Sequence, residues 1–312
     1  MTEEGLHLKI CPACQSPAVR DWFIKSNSDG KYKLCYCKQC GTAFVNPRPA
    51  IKQIEAFYNA NSYRAKATQT AQERLEKIME EERAYPNSTL DAVRLVENCK
   101  RLSKGTRFLD AGAGYGFFSR QALENGFDVY ALEPASTCRE VFNLMNGFEP
   151  DRSMLNQEFA LRHRSDFDVV LMSQVLEHVL DLDECLVALR ILLKDGGIAA
   201  IAVPHFRSLV SLIQGKRDMF INPPEHLNYF TTRGLENLFH RHGFRTIHIE
   251  TISRFNPERL GKKIPARLLR KTALFLLSTV LNTADMLDKG MYLTLYFQKE
   301  QSDVLPVKAG NK

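Results

Sequence analysis

No apolar run in this sequence approaches the ~18 residues that a helix needs to cross a bilayer. The longest candidate, residues 273–281, is short and contains Ser278 and Thr279. The first ten residues, MTEEGLHLKI, carry acids where a secretory leader needs positive charge, and no apolar stretch follows. Both absences argue against export and membrane insertion, so a cytoplasmic protein is expected. Internal repeats and low-complexity tracts are also missing, which argues against solenoid and disordered classes. Charge of one sign is scarce: the formal net charge is +6 over 312 residues, too little to demand a nucleic acid or membrane partner. The excess is local, with seven Lys or Arg against one acid, Glu258, between Arg254 and Lys271.

What is present is globular. Apolar residues make up 44% and charged residues 25%, enough for a real core, and the length suits about two domains. Five of the eight cysteines fall between Cys11 and Cys40. Without an export leader, such clustering points to metal ligation rather than disulfides. Cys11-Pro-Ala-Cys14 and Cys37-Lys-Gln-Cys40 are two C-x-x-C pairs, each from one tight turn, and two such turns close a tetrahedral zinc site. Four protein ligands leave no open position, so the ion is expected to be structural. Cys35 is a spare that could substitute as a ligand or be buried as a small hydrophobe.

The ribbon zone ends at Asn46-Pro47-Arg48-Pro49, a helix-hostile stop. Helical patterns follow over 51–100: IKQIEAFYNA, then the acid-rich AQERLEKIMEEERAY, then TLDAVRLVENCKRL, with Ser88 or Thr89 as the expected N-cap. From residue 106, short apolar strands alternate with helices such as FFSRQALENG, DECLVALRILLKDGG and TRGLENLFHRHGF. This order predicts an α/β, doubly wound, mostly parallel sheet with ligands outside the carboxyl ends of its strands. A long helix over about 264–288 precedes a last strand, YLTLYFQK. The expected division is a zinc ribbon over 1–50, a helical linker or lid over 51–104, a ligand-binding domain over 105–300 and a tail over 301–312.

The glycine loop Leu109-Asp110-Ala111-Gly112-Ala113-Gly114-Tyr115-Gly116 joins a strand to a helix. A dinucleotide fingerprint would put its third glycine at 117, where Phe117 stands. Asp110 would repel a pyrophosphate but suits the α-ammonium of a methionine moiety. Glu133 ends the next strand and can accept hydrogen bonds from two vicinal ribose hydroxyls. That feature alone fits both NAD and S-adenosylmethionine, whereas Asp110 and Gly116 distinguish them.

LDAGAGYG, LEP, FDVVLMSQVLEHVLD and LLKDGGIAAIAVP, in that order, resemble the motifs of class I S-adenosylmethionine-dependent methyltransferases over about residues 85–300. The resemblance implies a Rossmann-like seven-stranded sheet with YLTLYFQK as its antiparallel last strand. It implies that Asp110, Gly112, Ala113 and Gly114 contact the methionine portion, that Glu133 holds the ribose, and that Ser173 and Gln174 lie beneath the cofactor. Met154, Leu155 and Asn156 are the candidates near the adenine. More narrowly, the ribbon, FYNANSY and PPEHLNYFT are similar to bacterial methyltransferases acting on sugars, envelope or secondary-metabolite precursors, the deoxysugar C-methyltransferases among them. Their Tyr-x-Glu-His signature is matched by Glu225 and His226, but Pro223 occupies the tyrosine position.

Methyl transfer from a sulfonium needs an aligned acceptor and a base, and histidine has the fitting pKa. The catalytic candidates are His178 after the fourth strand, Glu225 and His226 after the fifth, and Tyr63 before the sheet; His205 is weaker. Each has a plainer alternative: His178 as a loop buttress, His226 as part of a turn, Tyr63 as a packing aromatic. His240, His242 and His248 read as a solvated helix face and a strand residue. Asn222-Pro223-Pro224 resembles the NPP of base-amine methylases, but it follows the fifth strand rather than the fourth. The expected acceptor is a small hydroxylated molecule: a sugar, a lipid-linked saccharide or a related metabolite. The alternatives are an RNA methyltransferase docked by its ribbon, against which the ribbon's lack of an Arg cluster counts, and a non-catalytic cofactor-binding scaffold. Residues 254–288 could meet an anionic membrane surface or, in the favoured reading, pack on the sheet or a second subunit.

Overall fold

A computed structural model describes residues 5–54, 70–254 and 267–301. Strands β1 (Val19–Asn27), β2 (Gly30–Cys37) and β3 (Ala43–Val45) form an antiparallel meander. Strands β4 (Arg107–Ala111), β5 (Asp128–Leu132), β6 (Phe167–Ser173) and β7 (Leu193–Pro204) are parallel neighbours in a second sheet. The two-residue β8 (Asn228–Tyr229) returns to the first sheet and pairs with β3. β9 (Phe244–Ile252) and β10 (Tyr292–Lys299) complete the second, whose order is β5-β4-β6-β7-β10-β9. β10 runs antiparallel to both neighbours, as the resemblance implied.

Among the described residues the sheet has six strands rather than seven. At the place of the missing strand, beside β5, only Asp151 bridges to Leu132. Pro150 offers no amide to extend the ladder, and the Asp151 carboxylate turns back to accept from the Ser153 amide at 2.7 Å. A ladder blocked on one side and closed into a turn on the other stays one residue long.

Period-two alternation sorts the strands into two faces. Leu109, Val170, Met172, Ala199, Ile201 and Val203 face helices 182–192 and 232–240 and share one cluster with the ribbon cysteines. Phe108, Val169, Leu171, Ile198 and Ala200 face the opposite way, onto Leu95, Val96 and Cys99 of helix Asn87–Leu102. That helix is therefore a covering layer of the sheet. Neither Ser88 nor Thr89 caps it. Glu82 of the preceding helix accepts from the Ser88 amide at 3.1 Å and the Thr89 amide at 3.0 Å. Thr231 does cap helix Thr232–His240, accepting from the Gly234 amide at 3.1 Å. The helix expected to run to the Gly196-Gly197 pair stops at Leu192, because Leu193 is already extended and opens β7.

The ribbon is fastened to the larger unit. Arg48, 2% exposed, donates to the Leu227 carbonyl at 2.8 Å and to the Asn228 side chain. Thr231 donates to the Cys40 carbonyl at 2.6 Å, and Arg241 donates to the carbonyls of Ala13 and Pro12. Among the described residues no helix is long and apolar enough to cross a membrane. Replacing Arg48 by Ala leaves the Asn228 acceptor unpaired in the interior, and the variant is expected to lose about 2–3 kcal/mol in urea unfolding.

Candidate functional site

The side chains singled out around the glycine loop meet at the carboxyl edge of the parallel strands. β4 ends beside Asp110, β5 is followed by Glu133, and β6 ends at Ser173 and Gln174. The amides of Gly112 and Ala113 both donate to the Leu132 carbonyl, at 2.9 and 2.8 Å, which ties the loop to β5. The Gly114 amide then donates to Glu133 at 2.8 Å, and the other carboxylate oxygen accepts from the Ala135 amide at 2.8 Å. A Cβ on Gly112 would strike Val175 at 2.5 Å, and one on Gly116 would strike Phe142 and Asn146. A Cβ on Gly114 would meet nothing within 4 Å, so the loop faces open space on that side. The Gln174 amide donates to the Ala202 carbonyl at 2.8 Å, fixing the end of β6.

Asp110 is 1% exposed and Glu133 is 7% exposed. Burial pushes the Asp110 carboxyl up to about 7, against the opposing hydrogen bond from Ser119 at 2.7 Å; the nearby Glu133 charge raises it further. Burial also raises Glu133, partly offset by its two backbone donors. Among the described residues no Lys or Arg forms an ion pair with either carboxylate. The Arg139 charge also offsets part of the burial of Glu133, whereas Asp110 has no cation among the groups that shift it, and a buried acid in that position is costly unless a cationic or hydroxyl-rich partner joins it. Ser119, absent from the sequence reading, orients Asp110 from the first helical turn after the loop; an O–H nine residues after an acid gave no signal of its own.

The second group lies around a 3₁₀ turn, Leu176–His178. His178 Nδ1 bonds the Glu225 carbonyl at 2.7 Å, the buttress that was the plainer reading, and His226 Nδ1 bonds the Phe220 carbonyl at 2.8 Å. The two rings are 4.8 Å apart. The Glu225 side chain accepts from Asn222 at 2.7 Å. His178, Glu225 and His226 are thus brought together. Glu177 joins them although the sequence reading passed over it. It is 1% exposed, its carboxyl is pushed up to about 8 by burial, and both its oxygens lack a hydrogen-bond partner among the described residues. The sequence shows only an acid within Val-Leu-Glu-His-Val, which does not by itself distinguish a buried carboxylate from an exposed one. Tyr63 lies outside the described residues. His205 is buried against the Gly290 carbonyl at 3.0 Å, and burial depresses it to about 4, which leaves it a neutral support of the sheet. His242 is also buried rather than solvated, within 3.4 Å of Asp183. Asn156 caps the following helix through the Phe159 amide at 2.9 Å, so its side chain is engaged structurally.

The four ribbon cysteines point inward, with sulfurs within 4.8 Å of one another. Cys11 and Cys40 sulfurs are 3.7 Å apart, and those of Cys14 and Cys37 are 3.6 Å apart. A tetrahedron with Zn–S near ~2.3 Å has edges of about 3.8 Å, whereas a disulfide needs about 2.05 Å. The donor set therefore fits a zinc ion and not a pair of cystines. Cys35 stays outside it and points to Asp21 at 3.4 Å.

Comparison with known proteins agrees with this geometry. A family model described as a methyltransferase domain matches residues 79–249, more than half of the chain. The chain is 31% identical over 108 residues to a ubiquinone biosynthesis O-methyltransferase of Brucella ovis, covering 34% of this chain and 44% of that protein. The corresponding protein of Methylocella silvestris is 34% identical over 98 residues, covering 30% and 38%. The chain thus spans less than half the length of these curated relatives. A SAM-dependent methyltransferase structure from Archaeoglobus fulgidus shares the fold with a TM-score of 0.50 and 18% identity, over 72% of this chain and 99% of that one. So does a Haemonchus contortus phosphoethanolamine N-methyltransferase 2 in complex with S-adenosyl-L-methionine, with a TM-score of 0.50, 16% identity, and coverage of 89% and 71%. The glycine loop, the order of the strands and the family match converge: the chain belongs to the methyltransferase-domain family and has the class I S-adenosylmethionine-dependent methyltransferase fold.

Proposed function

We propose that this protein transfers the methyl group of S-adenosylmethionine to a hydroxyl of a small acceptor, such as a sugar, a lipid-linked saccharide or a related metabolite. The observation that carries the reading is the pair of buried carboxylates, Asp110 and Glu133, neither in an ion pair with a Lys or Arg among the described residues, beside the open side of Gly114. S-adenosylmethionine supplies a methyl group already activated on a sulfonium. Asp110, when ionised, receives the amino-acid ammonium, and Gly112, Ala113 and Gly114 allow close backbone approach. Glu133 keeps acceptor capacity for the ribose hydroxyls beyond its two amide donors. Ser173 and Gln174 form the floor at the end of β6. On the acceptor side, His178, Glu225 and His226 orient the hydroxyl and take up its proton, with Tyr63 as a further contributor. The O-methyltransferase names of the partial relatives favour oxygen as the atom methylated.

We also assign a structural zinc ion to Cys11, Cys14, Cys37 and Cys40. Both knuckles are engaged within the molecule, through Arg241 and Thr231, so the ribbon serves to hold the acceptor-side loop rather than to dock RNA.

Four outcomes test these assignments. Calorimetry with S-adenosylhomocysteine should show binding to the wild type and, for Asp110→Asn, a loss of about 2–4 kcal/mol, roughly 30- to 1,000-fold; no binding to the wild type contradicts the assignment. The Asp110 carboxyl of the ligand-free protein sits at about 7, above its unfolded value of ~3.9. Ligand affinity should therefore climb with pH up to about 7 and level off above. The same carboxyl contributes stability that is complete below ~4 and lost as pH rises through about 7, so Asp110→Asn should flatten that part of the stability–pH curve. Metal analysis should find one zinc per chain at the ribbon, lost in Cys11→Ser but retained in Cys35→Ser.

A further inference from the structure

Glu177, His178 and His226 each place one ligand-type atom within 4.8 Å of the other two. His178 and His226 both bond a backbone carbonyl through Nδ1, at 2.7 and 2.8 Å. A carbonyl only accepts, so in both rings Nδ1 carries the hydrogen and, in the neutral ring, Nε2 carries the lone pair. Metal-bound histidines are oriented in this way. His178 Nε2 lies 3.9 Å from a Glu177 oxygen. Glu177 is the independent observation. It is almost fully buried, both its oxygens lack a donor among the described residues, and no Lys or Arg pairs with it there. Donors around one ion at ~2.0–2.1 Å sit up to about 4 Å apart, so small side-chain rotations close the set.

We propose that Glu177, His178 and His226 hold a divalent transition-metal ion, separate from the ribbon zinc. Two imidazoles and one carboxylate favour a zinc-, iron- or manganese-type ion over magnesium, and three protein ligands leave positions open. The role of the ion, though not its binding, rests on the methyl-transfer reading. With the ion bound, the imidazole lone pairs are committed to it, so the open position takes the acceptor hydroxyl and solvent, in place of His178 or His226, receives its proton. The oxygen lone pair forms the new C–O bond as the methyl–sulfur bond breaks, and the sulfonium leaves as a neutral thioether. A net charge of one minus on the ligands leaves one positive charge to stabilise the alkoxide.

The test uses full-length protein with its ribbon loaded with zinc, titrated with cobalt(II) by calorimetry and visible absorption. One further equivalent should bind, with d–d bands but without the intense thiolate-to-metal band of a cysteine site. Glu177→Gln and His226→Ala should each weaken that binding by about 100-fold, at or beyond the cost of losing an outer-shell partner. His226 is the more exposed, and circular dichroism on both variants separates loss of the ion from loss of the fold. Absence of the extra equivalent in wild type, or unchanged affinity and spectrum in folded variants, overturns the site. S-adenosylhomocysteine titrated into the same samples keeps the two ideas apart. Its binding without cobalt leaves the methyl-transfer reading standing when the metal site fails, and its failure to bind removes that reading while a bound cobalt still supports the site.

Discussion

The buried guanidinium of Arg48 is the contact on which the acceptor side of the molecule depends. It grips Leu227 and Asn228 from the ribbon side. From the other side, the Leu227 amide donates to the Glu177 carbonyl at 2.8 Å, and the Asn228 side chain donates to the Val179 carbonyl at 2.8 Å. The turn bearing Glu177 and His178, the loop bearing Glu225 and His226, and the ribbon therefore share one hydrogen-bonded junction. Val175, next to that turn, occupies the space where a side chain on Gly112 would stand. An unbroken line of contacts thus runs from the ribbon to the glycine loop. Cooperation of this kind is expected where a buried guanidinium uses two of its nitrogens on neighbouring residues of the opposite side.

Charge distribution reinforces this geometry. Half-buried arginines elsewhere find partners: Arg107 with Asp128 and Asp166, Arg94 with Glu250, Arg254 with Asp91. The acids at the carboxyl edge of the sheet do not. Asp110, Glu133 and Glu177 are all buried without a Lys or Arg ion pair among the described residues, Arg139 acting on Glu133 only from beside its backbone, at a desolvation cost that a purely structural core would avoid. Where a fold keeps acids in such positions, the compensating charge or donor is expected from a ligand.

Much of this was legible in the sequence, for identifiable reasons. The glycine loop could be read because its three glycines and Asp110 have a spacing that separates one ligand from another. The strands could be read because short apolar runs at 108–109, 169–172 and 198–203 alternate with helical patterns along the chain. The cysteine pairs announced their common site by spacing alone. Three features were not legible. β8 is two residues long and pairs only with a strand more than 180 residues earlier, so no local pattern marks it. The cap of helix Asn87–Leu102 comes from Glu82, in another helix, where a search for Ser or Thr at the boundary cannot find it. Glu177 looks like an ordinary acid beside a histidine until the 3₁₀ turn directs it inward.

One topological detail bears on how the chain reaches this state. β10 lies between β7 and β9, in the interior of the sheet, yet it is the last of the six strands in sequence. During vectorial synthesis, β7 and β9 must wait with unpaired edges until residues 292–299 emerge, since neither is bonded directly to the other. Such exposed edges invite aggregation. A nascent chain stalled before residue 292 would hold a four-stranded parallel half and a stranded β9, so closure of this sheet waits on residues 292–299.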